Sequence, residues 1–96
     1  MPVGWSTVKP KVLRALRDGT FQHEARTAID TKNLLQMGAV TAEQVIQVLK
    51  SARGNDHSVS PHHRAPGIEV NIVRHRGWYI KFYFVDPDTI FISVHR

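Results

Sequence analysis

The sequence predicts an α+β domain, an antiparallel sheet of three or more strands with helices packed on one face. Three observations lead there. The C-terminal stretch Gly67–Arg96 holds three short runs rich in Ile, Val, Phe and Tyr, divided by turn residues, and such residues fit a pleated, half-buried surface. Two earlier stretches repeat apolar residues at helical spacing. The chain has 96 residues, of which 42% are hydrophobic, which suits a single domain over residues 1–96 with one modest core.

The first helix is expected over Trp5–Arg17. Ser6 or Thr7 would cap it, since a hydroxyl satisfies an orphan N–H of the first turn. Pro10 would then fall in that turn, where its missing N–H costs little. Val8, Val12, Leu13 and Leu16 form an apolar stripe, with Lys9, Lys11, Arg14 and Arg17 outside it. Asp18-Gly19 is a stop, because Gly accepts the left-handed conformation.

Phe21–Ile29 stays open: Phe21–His23 fits a short strand and Glu24–Ile29 a helical turn. Asp30-Thr31 would cap a short helix through Leu34, Leu35 and Met37, ended by Gly38. Thr41–Arg53 is the clearest helix. Thr41 and Gln44 stand at capping-box spacing, Val45, Ile46 and Leu49 share a face, and Gly54 closes it. This helix is expected to cover the apolar face of the sheet. Asn55–Pro66 reads as a polar loop carrying His57, His62, His63 and Arg64, and loops held by rigid scaffolds are frequent carriers of function.

The three strands are expected at Ile68–Val73, Trp78–Val85 and Ile90–His95. Strand side chains alternate between faces. That alternation groups Ile68, Val70 and Ile72 against Glu69 and Asn71. It groups Trp78, Ile80, Phe82 and Phe84 against Tyr79, Lys81 and Tyr83. It groups Ile90, Ile92 and Val94 against Phe91, Ser93 and His95. One face is apolar. The other presents phenols, an ammonium, amides, a carboxylate and an imidazole.

Thirteen Lys and Arg against eight Asp and Glu give a formal charge of +5, with six His in reserve. Positive charge in so small a domain favours polyanions, nucleic acid above all. The lack of cysteine removes disulfides and thiolate zinc sites. No apolar run is long enough to span a bilayer, and the first residues lack the features of a signal peptide, so the cytoplasm is the expected compartment. Hydrolase nucleophile elbows, phosphate-cradling Gly-rich loops and dinucleotide fingerprints are all missing.

RNA cleavage without a metal needs a base for the attacking 2′-hydroxyl, an acid for the leaving oxygen and cations on the phosphorane. His57, His62, His63, His75 and His95, with Lys81, Arg64, Arg74, Arg76 and Arg96, offer those groups, and histidine titrates in the useful range. A zinc site from His57, His62 and His63 with Glu69 or Asp56 is the rival, although the spacing fits no helix-borne ligand motif. The plainest alternative is that these histidines are exposed loop residues.

The order of elements resembles the MqsR-type mRNA interferase toxins, RelE-like members of bacterial type II toxin–antitoxin modules. The likeness runs through Asp18-Gly19-Thr20-Phe21, Ala25–Ile29, Val45–Leu49, Trp78–Phe82 and Ile90–His95. It implies a metal-independent, cofactor-free endoribonuclease acting on mRNA, and a cognate antitoxin that contains zinc and binds DNA. It places Tyr79, Lys81, His57 and His95 in the catalytic set, the two histidines where the family has lysines, and Glu69 near a functional glutamine. His62, His63, Arg64, Arg76 and Arg96 complete the expected RNA contacts. Two readings compete: a non-catalytic nucleic-acid-binding module, and an interaction protein of the antitoxin or immunity kind.

Overall fold

A computed structural model describes residues 4–24 and 32–96. Helix α1 spans Trp5–Asp18, strand β1 Phe21–His23, helix α2 Leu34–Met37 and helix α3 Ala42–Ser51. A 3-10 turn at Gly54–Asp56 leads into β2 (His57–Pro61), followed by β3 (Glu69–His75), β4 (Trp78–Val85) and β5 (Asp88–His95). The five strands lie in the order β1-β5-β4-β3-β2. Only the β1–β5 pair is parallel. The expected α+β architecture is what forms, with a sheet larger than the three strands read from sequence. Among the described residues no helix is long and apolar enough to cross a membrane.

The helices form where amphipathic spacing and caps demand them. In α3 Thr41 Oγ accepts from the Gln44 N–H while Gln44 Oε1 accepts from the Thr41 N–H, the predicted reciprocal cap. The helix ends at Ser51, before Arg53 and Gly54. Helix α1 stops at Gly19, whose φ of 74° is the left-handed value that glycine tolerates. Its start departs from expectation. Gly4 is the N-cap, Ser6 and Thr7 lie inside the helix, and Pro10 is well past the first turn. Pro10 therefore removes an interior hydrogen bond. Asn33 caps α2 by accepting the Gln36 N–H. The expected cap at Asp30-Thr31, and the alternative turn at Glu24–Ile29 apart from Glu24 itself, lie outside the described residues.

Helices α1 and α3 pack together over one side of the sheet. The core joins Val8, Val12, Leu16, Val45 and Leu49 to Val73, Ile80, Phe82, Phe91 and Val94. Trp5 Nε1 donates to the Ala52 carbonyl at 3.0 Å. Lys9 Nζ donates to the Lys50 and Ala52 carbonyls, so the last carbonyls of α3 find partners on α1.

Pairing corrects the faces read from two strands. Val73 pairs with Ile80 and Asn71 with Phe82, so Asn71 and Val73 face the helices, and Val70 and Ile72 face away. Both Val70 and Val73 are buried. A strand with apolar residues turned to both faces gives no clean alternation, which is why Ile68, Val70 and Ile72 misled. In β5 a register shift places Phe91 opposite Phe82 but Ser93 opposite Lys81. Ile92 is thus the extra residue of a β-bulge. Phe91 and Val94 both enter the core, and Ile90, Ser93 and His95 share the second face.

Candidate nucleic-acid interface

No described helix packs on the second face of the sheet. Across its one end the pairing runs Arg74, Tyr79, His95 on β3, β4 and β5. The His95 ring stacks on Tyr79 with centroids 5.1 Å apart and planes 20° apart. Arg74 Cζ lies 5.2 Å from the Tyr79 centroid. The two partners come from the strands on either side of β4, so the phenol ring is sandwiched between them. Lys81, two residues along β4, shares this face and stands opposite Ser93 and Ile72. The His95 Nδ1 contact with the Arg96 carbonyl, 3.2 Å, requires Nδ1 to donate, because a carbonyl only accepts. In neutral His95 the lone pair is then on Nε2, directed away from the backbone.

The bulge makes this grouping possible. Without the extra residue at Ile92, Val94 and Phe91 would fall on opposite faces. The inserted residue lets both enter the core while His95 remains beside Tyr79.

At the other end of the same face stands a second polar group. Glu24 follows β1, His62 follows β2, and Tyr83 lies on β4. Tyr83 donates to Glu24 Oε2 at 2.6 Å. His62 Nε2 lies 2.9 Å from the same oxygen, and its ring meets Tyr83 edge-on at 4.9 Å. His62 Nδ1 accepts the backbone N–H groups of Arg64 and Ala65 at 3.0 and 3.1 Å. The proton of this imidazole is therefore on Nε2, donated to Glu24. Partial burial pushes the Glu24 carboxyl up, but the hydrogen bonds from Tyr83 and His62 and the nearby Arg64 charge together hold it below its usual value. Burial and the hydrogen bond to Glu24 push the Tyr83 phenol up to about 12.

Several expected site residues lie elsewhere. His57 is on the helix side, because it pairs with core-facing Val73. Its ring stacks on Trp5 at 5.2 Å, and Nε2 donates to Asn71 Oδ1 at 2.9 Å. The Asn55–Pro66 stretch is not a loop throughout; residues His57–Pro61 form the edge strand β2, and that strand fixes where His57 points. Glu69 also belongs to the helix side, lining a groove with Thr7 and Lys11. Arg96 stacks on Trp78, Cζ to centroid 4.5 Å, behind the sheet from His95. Arg76 occupies the tip of the β3–β4 turn, where its φ of 50° precedes Gly77 at 82°. His63 and Arg64 are exposed on the turn after β2. The three histidines of the zinc alternative are thereby dispersed, and among the described residues no three His, Asp or Glu side chains are grouped to hold a metal ion.

His75 has a different setting. Nδ1 lies 3.0 Å from Asp56 Oδ2 and Nε2 lies 3.0 Å from Ser51 Oγ. The arrangement has the outline of a serine–histidine–aspartate triad. However, the Ser51 hydroxyl also faces the Gln47 and Val48 carbonyls at 3.2 and 3.1 Å. Ser51 is the last residue of α3, the negative end of the helix dipole, which opposes an alkoxide. The group works as a clasp between α3, the 3-10 turn and β3. The Arg53 N–H, chiefly, with His75, holds the Asp56 carboxyl below its usual value against some opposing burial.

Sequence reasoning placed Tyr79, Lys81, Tyr83 and His95 on one face and missed Glu24, which has no local signal: its partners are 38 and 59 residues away. Arg74 stood among the candidate cations, and only the β3 register brings it to Tyr79. Comparison of the chain with protein-family models, curated proteins and solved structures finds no match.

Proposed function

We propose that this protein is a metal-independent endoribonuclease acting on single-stranded mRNA in the cytoplasm, the toxin of a type II toxin–antitoxin pair. The observation that carries the reading is the Arg74–Tyr79–His95 stack with Lys81 beside it. It gathers an imidazole, a phenol and two fixed cations on one partly exposed strip. The resemblance to MqsR-type toxins supports the same strip, since it places Tyr79, Lys81 and His95 in the site.

In this reading Nε2 of His95 takes the proton from the 2′-hydroxyl. The freed oxygen attacks the adjacent phosphorus and forms the cyclic phosphate, and the P–O5′ bond breaks. The Tyr79 hydroxyl gives its proton to the departing 5′-oxygen. Arg74 and Lys81 neutralise charge on the phosphorane, as preorganised cations do most effectively. His57 has no part, since the helix side holds it. A zinc-containing, DNA-binding antitoxin is the expected partner.

Controlled expression in bacteria tests the reading. Wild-type protein arrests growth, and His95→Ala at equal abundance does not. Growth unaffected by the wild type would favour the antitoxin or immunity alternative.

A further inference from the structure

We infer that Glu24 and His62 are positioning residues, a latch that fastens the turn 62–67 to the second face and so holds Arg64 as an anion contact at the far end of the RNA path. The inference rests on the function proposed above for Arg64's role, while the latch itself stands on geometry alone. Residues 62–67 connect two strands by a turn closed by His62 N–H to the Ile68 carbonyl and Ile68 N–H to the Ala65 carbonyl. Backbone bonds of this kind shape a turn; the link from the turn to the second face comes from His62. One ring nitrogen receives the amides of Arg64 and Ala65, and the other donates to Glu24, which Tyr83 also grips. A single imidazole thus ties the turn to β4 and to the residue after β1.

The charges fit the role. Arg64 is exposed, and its backbone N–H is bonded to the same His62 ring that meets Glu24, so its guanidinium is carried on the fastened turn. Tyr79 and Tyr83 are four residues apart on one strand, about 13 Å. The stack and the latch are therefore too far apart to share one phosphate, and a single strand of RNA crossing the face would meet Arg64 beyond the scissile bond.

The test compares E24A, E24Q and R64A by amide exchange, by histidine nitrogen NMR and by binding of a single-stranded RNA oligonucleotide over a salt series. Wild-type His62 shows the Nε2–H tautomer. E24A speeds exchange of the Arg64 and Ala65 amides at least about tenfold, since a local opening now exposes them, and leaves β4 amides unchanged. E24Q restores protection, because its amide oxygen still accepts from Tyr83 and His62. R64A lowers the salt slope by about 0.7, the value for one phosphate contact on a single strand. E24A raises KM with little change in kcat, and adding it to R64A weakens binding no further. Unchanged amide exchange in E24A overturns the latch. Additive losses in the double variant overturn its link to Arg64. Protected amides in a wild-type protein that binds no RNA overturn the proposed function, and Arg64's role with it, while the latch stands.

Discussion

At the residue scale, the four groups with shifted ionisation set how stability depends on pH. Glu24 and Asp56 titrate lower in the folded protein than their usual 4.5 and 3.8. A depressed carboxyl contributes stability above its unfolded pKa and loses it as pH falls through the folded one, so acid weakens the fold below about pH 4.5. Tyr83 is the opposite case. Its phenol is raised from 10.0 to about 12, so the folded state holds the proton more tightly. Its contribution is complete below pH 10 and disappears between there and about 12. Urea unfolding midpoints measured from pH 9 to 12 will fall more steeply for the wild type than for Tyr83→Phe, which removes the titrating group. His23 is lowered by burial and accepts from Asn33 Nδ2 at Nδ1; keeping it neutral adds to the acid side of the same curve. Which phenols and cation share the second face was legible in β4, because Tyr79, Lys81 and Tyr83 alternate with Trp78, Ile80, Phe82 and Phe84. The Glu24–His62–Tyr83 group was not, since no local pattern records a contact spanning most of the chain.

At the element scale, helices α1 and α3 carry measurable commitments. Leu49 is fully buried under α1 and the sheet, so Leu49→Ala should cost about 2–5 kcal/mol in denaturant unfolding. Thr41→Ala, which breaks the reciprocal cap, should cost about 1 kcal/mol. Pro10 points the other way. It is exposed and interior to α1, so Pro10→Ala should stabilise the protein, by at most about 3 kcal/mol. A loss of stability in that variant would mean the proline ring holds the helix in a shape the core requires. Helix α3 and the β4 faces were readable because strong periodicity and a two-residue cap signature are local properties. Strand β2 was not: Ser58, Ser60 and Pro61 resemble a loop, and only pairing with β3 makes an edge strand of them. The bulge at Ile92 was equally hidden, because an inserted residue breaks the period that sequence reading relies on.

At the scale of the whole molecule, the fold sorts the histidines by face. His57 and His75 serve the helix side, through Trp5, Asn71, Ser51 and Asp56. His62 and His95 serve the second face, at opposite ends. His62 therefore does not reach the phosphate that His95 meets, and the proposed reaction pairs His95 with Tyr79 and the two cations instead. Removal of Arg74 should weaken the reaction without disturbing the fold, because its side chain is exposed and its partner is the Tyr79 ring. Single-turnover cleavage by Arg74→Ala, with its thermal midpoint as control, checks that expectation.

The most direct measurement is end-group analysis of a labelled single-stranded RNA incubated with the purified protein in EDTA. The proposed reaction gives fragments ending in a 2′,3′-cyclic phosphate and beginning with a free 5′-hydroxyl, formed about 10²–10⁴ times more slowly by His95→Ala. Intact RNA, or cutting that proceeds equally well without the His95 imidazole, would contradict it.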